Sequence, residues 1–143
     1  MLFGRKKRRI VRILVVEDEP LVAFDTEHFL TDNGFEIVAT TDLVSEGLAL
    51  VNGDAAIDLV LVDVNLADGS GIDVARAAKE RGMPVLFVTG TCPDGGREVA
   101  SGCLGKPYPQ RDLVAAIEAI ETVLEGKTPR KLPASFNLFA TVG

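Results

Sequence analysis

An α/β fold, with a parallel sheet covered by helices on both faces, is the architecture this sequence predicts. Two observations carry it. Short, nearly continuous apolar runs alternate with stretches of helical period five times in series, and right-handed crossovers between such units make the strands parallel. The runs also end abruptly in acids, a hydroxyl or a lysine, as buried strands do where they reach the carboxyl edge of a sheet.

The elements follow in order. Residues 10–16, Ile-Val-Arg-Ile-Leu-Val-Val, form a β-branched run that ends in Glu17-Asp18-Glu19. Pro20 suits a first helical turn, so a helix is expected to about Asn33, with Gly34 as its stop. Strand two is expected over 35–40, and a helix over 43–51 ends near Asn52-Gly53. Residues 57–62 are the most apolar strand, followed by a turn at Asp68-Gly69-Ser70-Gly71 and an alanine-rich helix over 72–81. Strand four covers 84–88. Next comes Cys92-Pro93-Asp94-Gly95-Gly96, a composition that barely sustains a helix, so a fourth helix is confined to about 97–101. Strand five is short, 103–105. Residues 113–124 carry apolar side chains at 113, 114, 117, 120, 123 and 124, a 3.6-residue stripe that faces a core. Residues 126–143 hold two prolines and no helical period, and read as a tail too short for an output domain.

A chain of 143 residues with 47% hydrophobic and 25% charged residues builds one ordinary core. No apolar run approaches the roughly 20 residues a membrane-spanning helix needs, and the N-terminus turns basic before any secretory h-region. Cys92 and Cys103, in a chain without export features, predict free thiols in a reducing cytoplasm. The net charge of −6 is unevenly spread. Arg5, Lys6, Lys7, Arg8, Arg9 and Arg12 fall in the first twelve positions, which carry no acid; the remainder holds nine basic against 21 acidic residues. So acidic a body makes a poor nucleic-acid binder. The arm over 1–9 is read as a solvated terminus, with contact to nucleic acid or an anionic membrane surface as the other reading.

The chemistry lies at the strand ends. Glu17-Asp18-Glu19 follow strand one, Asp63 strand three, Thr89 strand four and Lys106-Pro107 strand five. Taken singly, the acids read as helix caps, Thr89 as a strand residue and Lys106 as a surface lysine. Four strands delivering them to one edge read as a site. Asp18 and Asp63 would repel one another without a cation between them, and hard oxygen ligands favour Mg²⁺. A carboxylate can accept a phosphoryl group as an acyl phosphate. Lys106 and Mg²⁺ would supply counter-charge, Thr89 a hydroxyl donor, and Gly90 open access to backbone N–H.

Residues 13–20 (Ile-Leu-Val-Val-Glu-Asp-Glu-Pro), 61–71 (Leu-Val-Asp-Val-Asn-Leu-Ala-Asp-Gly-Ser-Gly) and Lys106-Pro107-Tyr108 closely resemble the motifs of two-component response-regulator receiver domains, over about residues 10–125. The resemblance implies a flavodoxin-like (βα)₅ fold with sheet order 2-1-3-4-5. It implies Asp63 as phosphoacceptor, Asp18 as a direct Mg²⁺ ligand, Glu17 acting through metal-bound water, and the Asn65 backbone carbonyl completing the protein ligands. Thr89 matches the switch hydroxyl, Lys106 the phosphate-binding lysine, and Lys106–Pro107 a cis peptide. Two positions depart from the pattern. Cys103 stands where receivers carry a Tyr or Phe that rotates with the switch hydroxyl. The stretch 84–91 is similar to the subgroup named for its Phe-Ala-Thr-Gly motif, stand-alone regulators of alphaproteobacteria, with Val88 for the alanine.

The expected function is a cytoplasmic single-domain response regulator. It would take phosphoryl from a sensor histidine kinase or phosphotransfer protein and signal to a downstream protein target, as a monomer or weak homodimer, without DNA binding and without enzymatic turnover. One alternative is a receiver that binds partners without phosphorylation, which would call for a lost site residue, and none is lost. The other is a Mg²⁺-dependent phosphohydrolase, whose usual second aspartate two residues after the nucleophile is replaced here by Asn65. Cys103 reads as a small buried apolar residue, with a redox role as the lesser reading. His28 reads as a surface or packing residue, and Tyr108 as packing behind the proline. Phe136, Leu138 and Phe139 either dock on a surface or belong to a disordered tail.

Overall fold

The computed structural model describes residues 8–139; Arg5, Lys6 and Lys7 of the basic arm lie outside the described residues. The strands of the main sheet are β1 (Arg12–Val16), β2 (Glu36–Thr41), β3 (Leu59–Val62), β4 (Val85–Thr89), β5 (Gly102–Gly105) and β6 (Phe136–Leu138). The helices are α1 (Pro20–Asp32), α2 (Val44–Val51), α3 (Gly71–Glu80) and α4 (Gln110–Leu124). The sheet runs 2-1-3-4-5-6, parallel except for β6, which pairs antiparallel with β5. The expected 2-1-3-4-5 order is therefore present and extended by one strand.

Alternation along the strands divides the core. Ile13, Val15, Leu59, Leu61 and Leu86 point to the face covered by Leu30 and Phe35 near α1 and by Leu113, Ile117 and Ile120 of α4. Leu14, Val16, Val60, Val62 and Phe87 point to the other face, with Val44 and Val51 of α2 and Val74, Ala75 and Ala78 of α3. Burial on both faces explains why these runs contain almost no polar residue.

Four expectations change. The fourth helix shrinks to one 3₁₀ turn, Gly96–Glu98, because Pro93 and two glycines leave too little helical propensity. The segment read as a tail contributes β6, whose Phe136 is buried and packs where Gly102 has no side chain. A Cβ on Gly102 would lie 2.5 Å from the Phe136 ring, so the close approach depends on glycine. The two thiols read as free are joined as a disulfide between Cys92 and Cys103. The irregular loop folds back on β5 and brings their Cα atoms to 6.1 Å, a proximity that reasoning from export features does not address. Cys103 is fully buried, as expected.

Arg8 and Arg9, read as part of a solvated arm, are anchored. Arg8 stacks 4.2 Å over the Phe35 ring and donates to the Asn33 carbonyl, and the Arg9 guanidinium donates to the Leu124 carbonyl. Buried Glu121 accepts the N–H groups of Arg9 and Ile10 and so fixes where β1 begins. Among the described residues no helix is long and apolar enough to cross a membrane.

Candidate functional site

β1, β3, β4 and β5 lie side by side, so their carboxyl ends form one rim. The register of β1 with β3 pairs Val16 with Val62, and the chain then delivers Glu17 and Asp63 to adjacent positions; the Asp63 N–H donates to the Val16 carbonyl at 2.9 Å. Thr89 pairs with Gly105 across β4 and β5, and the Lys106 N–H donates to the Thr89 carbonyl at 2.8 Å. Parallel register thus brings together residues up to 89 positions apart.

Lys106 is the centre of the arrangement. Its Nζ donates to Glu17 Oε1 at 2.8 Å, Asp63 Oδ2 at 2.9 Å and Glu19 Oε1 at 3.1 Å. Burial alone would push the ammonium pKa down, but the hydrogen bonds it donates to the three carboxylates overcome it and raise it above the ordinary lysine value. Burial pushes the Glu17 carboxyl up, against the opposing pull of its bond to Lys106. Asp63 is buried at the rim, and its Oδ1 accepts the Asn65 N–H at 3.2 Å.

The helix-cap reading of the first acids does not apply to α1. Its N-cap is Glu19, without a side-chain cap, and Glu17 Oε2 accepts the Glu19 N–H at 3.1 Å instead. Carboxylate oxygens of Glu17, Asp18, Glu19 and Asp63 all lie within 4.8 Å of one another. Four carboxylates faced by one ammonium leave excess negative charge on hard oxygen donors, a set that fits a divalent cation of the Mg²⁺ class.

The loop after Asp63 is built for close approach. A Cβ on Gly71 would fall 1.9 Å from the Asp63 carbonyl oxygen, so glycine is required for α3 to start there. Ser70 caps α3 by accepting the Ile72 N–H at 3.1 Å. Asp68 reaches sideways to accept the Val44 and Ser45 N–H groups, capping α2, and these bonds hold its carboxyl below the usual range. Thr89 is only 1% exposed at the end of β4. The Lys106–Pro107 peptide is cis, and Tyr108 packs half-buried against the core, with burial raising its phenol. His28 is exposed and stacks on Phe24.

Glu17, Asp18, Asp63 and Lys106 lie together; Thr89 ends the neighbouring strand with its carbonyl on the Lys106 N–H, and Asn65 meets Asp63 through its N–H rather than its carbonyl. Three participants had no role assigned: Glu19 as a partner of Lys106, Asp68 as the cap of α2, and Cys92 as the partner of Cys103. Only the presence of two cysteines flanking a glycine-rich loop hinted at the last.

A parallel five-strand core with a lysine bound to an acidic rim defines a class of signalling domain, and the comparisons agree. The chain belongs to the response regulator receiver domain family, which matches residues 13–118. Over 120 residues it is 32% identical to the cell cycle transcriptional regulator CtrA of Caulobacter vibrioides, covering 77% of this chain and 50% of that protein. The chain spans about half the length of the curated relatives it matches, from 41% to 57%. Among solved structures it is similar to a CheY-like receiver domain protein from Methanospirillum hungatei, at TM-score 0.69 and 28% identity, covering 76% of this chain and 91% of that one. It is likewise similar to SdrG from Sphingomonas melonis, at TM-score 0.65 and 33% identity, covering 78% and 96%. The fold is flavodoxin-like, and domains of this family are in general signalling modules rather than enzymes.

Proposed function

We propose that this domain accepts a phosphoryl group on Asp63 from the phosphohistidine of a sensor histidine kinase or phosphotransfer protein. The observation that carries the reading is the convergence of Lys106, Asp63 and the acidic cluster on one rim. An Asp63 carboxylate oxygen attacks phosphorus, the bond from phosphorus to the imidazole nitrogen breaks, and the imidazole leaves with the electron pair. Lys106 turns from the carboxylates to the phosphoryl oxygens, and the Thr89 hydroxyl donates to another. Asp18, Asp63 and the Asn65 backbone carbonyl would hold Mg²⁺ directly, with Glu17 acting through water. Bound there, the ion supplies positive charge to the phosphoryl oxygens.

Partner contact has an available surface. Leu21 and Phe24 of α1 are 79% and 58% exposed, beside a cavity of about 270 Å³ lined by Glu19, Val22, Phe29, Lys106 and Tyr108. An apolar patch next to the acceptor suits a helical phosphodonor partner. The acidic body favours protein contact or onward phosphotransfer over DNA as the output. CtrA is named as a transcriptional regulator, and the match covers half of it.

The test is direct. With Mg²⁺ and acetyl phosphate, the intact mass should rise by one phosphoryl group, and should not rise when the ion is chelated or in Asp63→Asn. Unmodified wild type under these conditions would overturn the reading. Sustained release of phosphate from simple esters would favour a phosphohydrolase instead.

A further inference from the structure

The stretch between Thr89 and Lys106 holds the one covalent cross-link among the described residues, and phosphoryl chemistry makes no use of it. Cys92 lies three residues past Thr89, and Cys103 three residues before Lys106. Cys103 is wholly buried in β5, opposite Phe87 of β4 and Asn137 of β6. Cys92 is half-buried in the loop. Between them the backbone has little regular support: Gly95 in the left-handed region, one 3₁₀ turn, and turn bonds such as Gly96 N–H to the Pro93 carbonyl and Ala100 N–H to the Gly96 carbonyl. A segment held by such short-range turn bonds, and tied to β4 through the Ser101 N–H to the Val85 carbonyl, takes its one covalent constraint from the cross-link. Residues 90–101, which contain most of this stretch, begin just after Thr89 and lead into β5, and Lys106 follows the end of β5.

We propose that Cys92–Cys103 is a thiol–disulfide exchange site whose redox state sets the order of residues 90–101 and, through them, the lifetime of the phosphoryl group on Asp63. The second half rests on the phosphorylation reading above. The reactant is a dithiol reductant. Its thiolate attacks Sγ of Cys92, the only one of the two sulfurs on a residue that is not wholly buried, and the S–S bond breaks with the electron pair leaving on Cys103 Sγ, which takes a proton. The second thiol of the reductant resolves the mixed disulfide and releases the Cys92 thiol. Two electrons and two protons pass to the protein, and the reductant ends as a disulfide. A disulfide oxidant of the glutathione disulfide class runs the exchange in reverse. In the reduced state the loop after Thr89 loosens and gives water readier access to the acyl phosphate.

The test compares oxidised protein with protein reduced by dithiothreitol under native conditions. Under native conditions thiol alkylation should label Cys92 only after reduction, with buried Cys103 labelled once the chain is denatured, while β1 and β3 keep their amide protection. Amides of residues 94–101 should exchange about tenfold faster in the reduced form. The phosphoryl half-life after acetyl phosphate loading should shorten about threefold on reduction, and Cys92→Ser should show the short value with or without dithiothreitol. Reduction that occurs only on global unfolding, or equal loop exchange in both states, would overturn the exchange site. Altered exchange with an unchanged half-life would overturn the coupling to phosphorylation. If neither form takes a phosphoryl group, the Asp63 reading fails and the coupling with it, and loop exchange alone still decides the redox half.

Discussion

Lys106 and Glu17 titrate in ways that pull stability in opposite parts of the pH range. Lys106 has its pKa raised above the ordinary 10.5 by its carboxylate partners. The stability these bonds contribute is therefore complete below about pH 10.5 and is lost as pH climbs through the folded value. Glu17 is an acid raised above 4.5 by burial, so the folded chain keeps a proton that the unfolded chain has released. Its contribution is greatest below pH 4.5 and declines as pH rises through its folded value. In metal-free protein, Glu17→Gln should flatten the fall in stability above pH 4.5, and Lys106→Met should remove part of the loss above pH 10.5. Urea unfolding at a series of pH values checks both. An unchanged acid limb in Glu17→Gln would show that its burial costs nothing.

At the scale of elements, the strand that closes the sheet depends on one missing side chain. In Gly102→Ala the new methyl meets the Phe136 ring, so β6 should detach while β1 to β4 keep their pairing. Phe136→Ala should cost about 3 kcal/mol, since the ring is buried among Leu104 and the α4 core. Amide exchange at Leu104 and Phe136 reads the first, and denaturant midpoints read the second. Equal protection of Leu104 in both proteins would remove glycine from the explanation. β1 to β5 were legible in the sequence because each is a compact apolar run that stops at a polar residue, and the site was legible because those stops share one edge. β6 was not, because three residues preceded by two prolines carry no period, and their order comes from Gly102 across the sheet. The disulfide was hidden for a similar reason: a separation of eleven residues says nothing until the loop is known to fold back. Helix α4 starts three residues earlier than its apolar stripe suggests, with Pro109 as its N-cap.

Over the whole molecule, the sheet separates two poles. The acidic rim occupies the carboxyl ends of the strands. At the opposite end Glu121 and Asp58 hold the first backbone N–H groups of the chain's entry into β1, beside Arg8, Arg9 and Arg12. Arg8, Arg9 and Arg12 are thus held away from the site where phosphoryl chemistry would occur, and do not neutralise it. β6 has a further consequence at this scale. By bonding to the outer side of β5, and through the Gly105 N–H to the Ser135 carbonyl and the Phe139 N–H to the Ser101 carbonyl, it covers a flat, small-residue margin that would otherwise template strand addition from another molecule. Being only three residues long, it offers little template of its own. Removing residues 127–143 should therefore convert a dispersed protein into one that aggregates as its concentration rises, detectable by light scattering; a truncated chain that stays dispersed would show that β5 needs no cover. The segment read as a tail is, on this account, what shields β5 from strand addition by copies of the same domain.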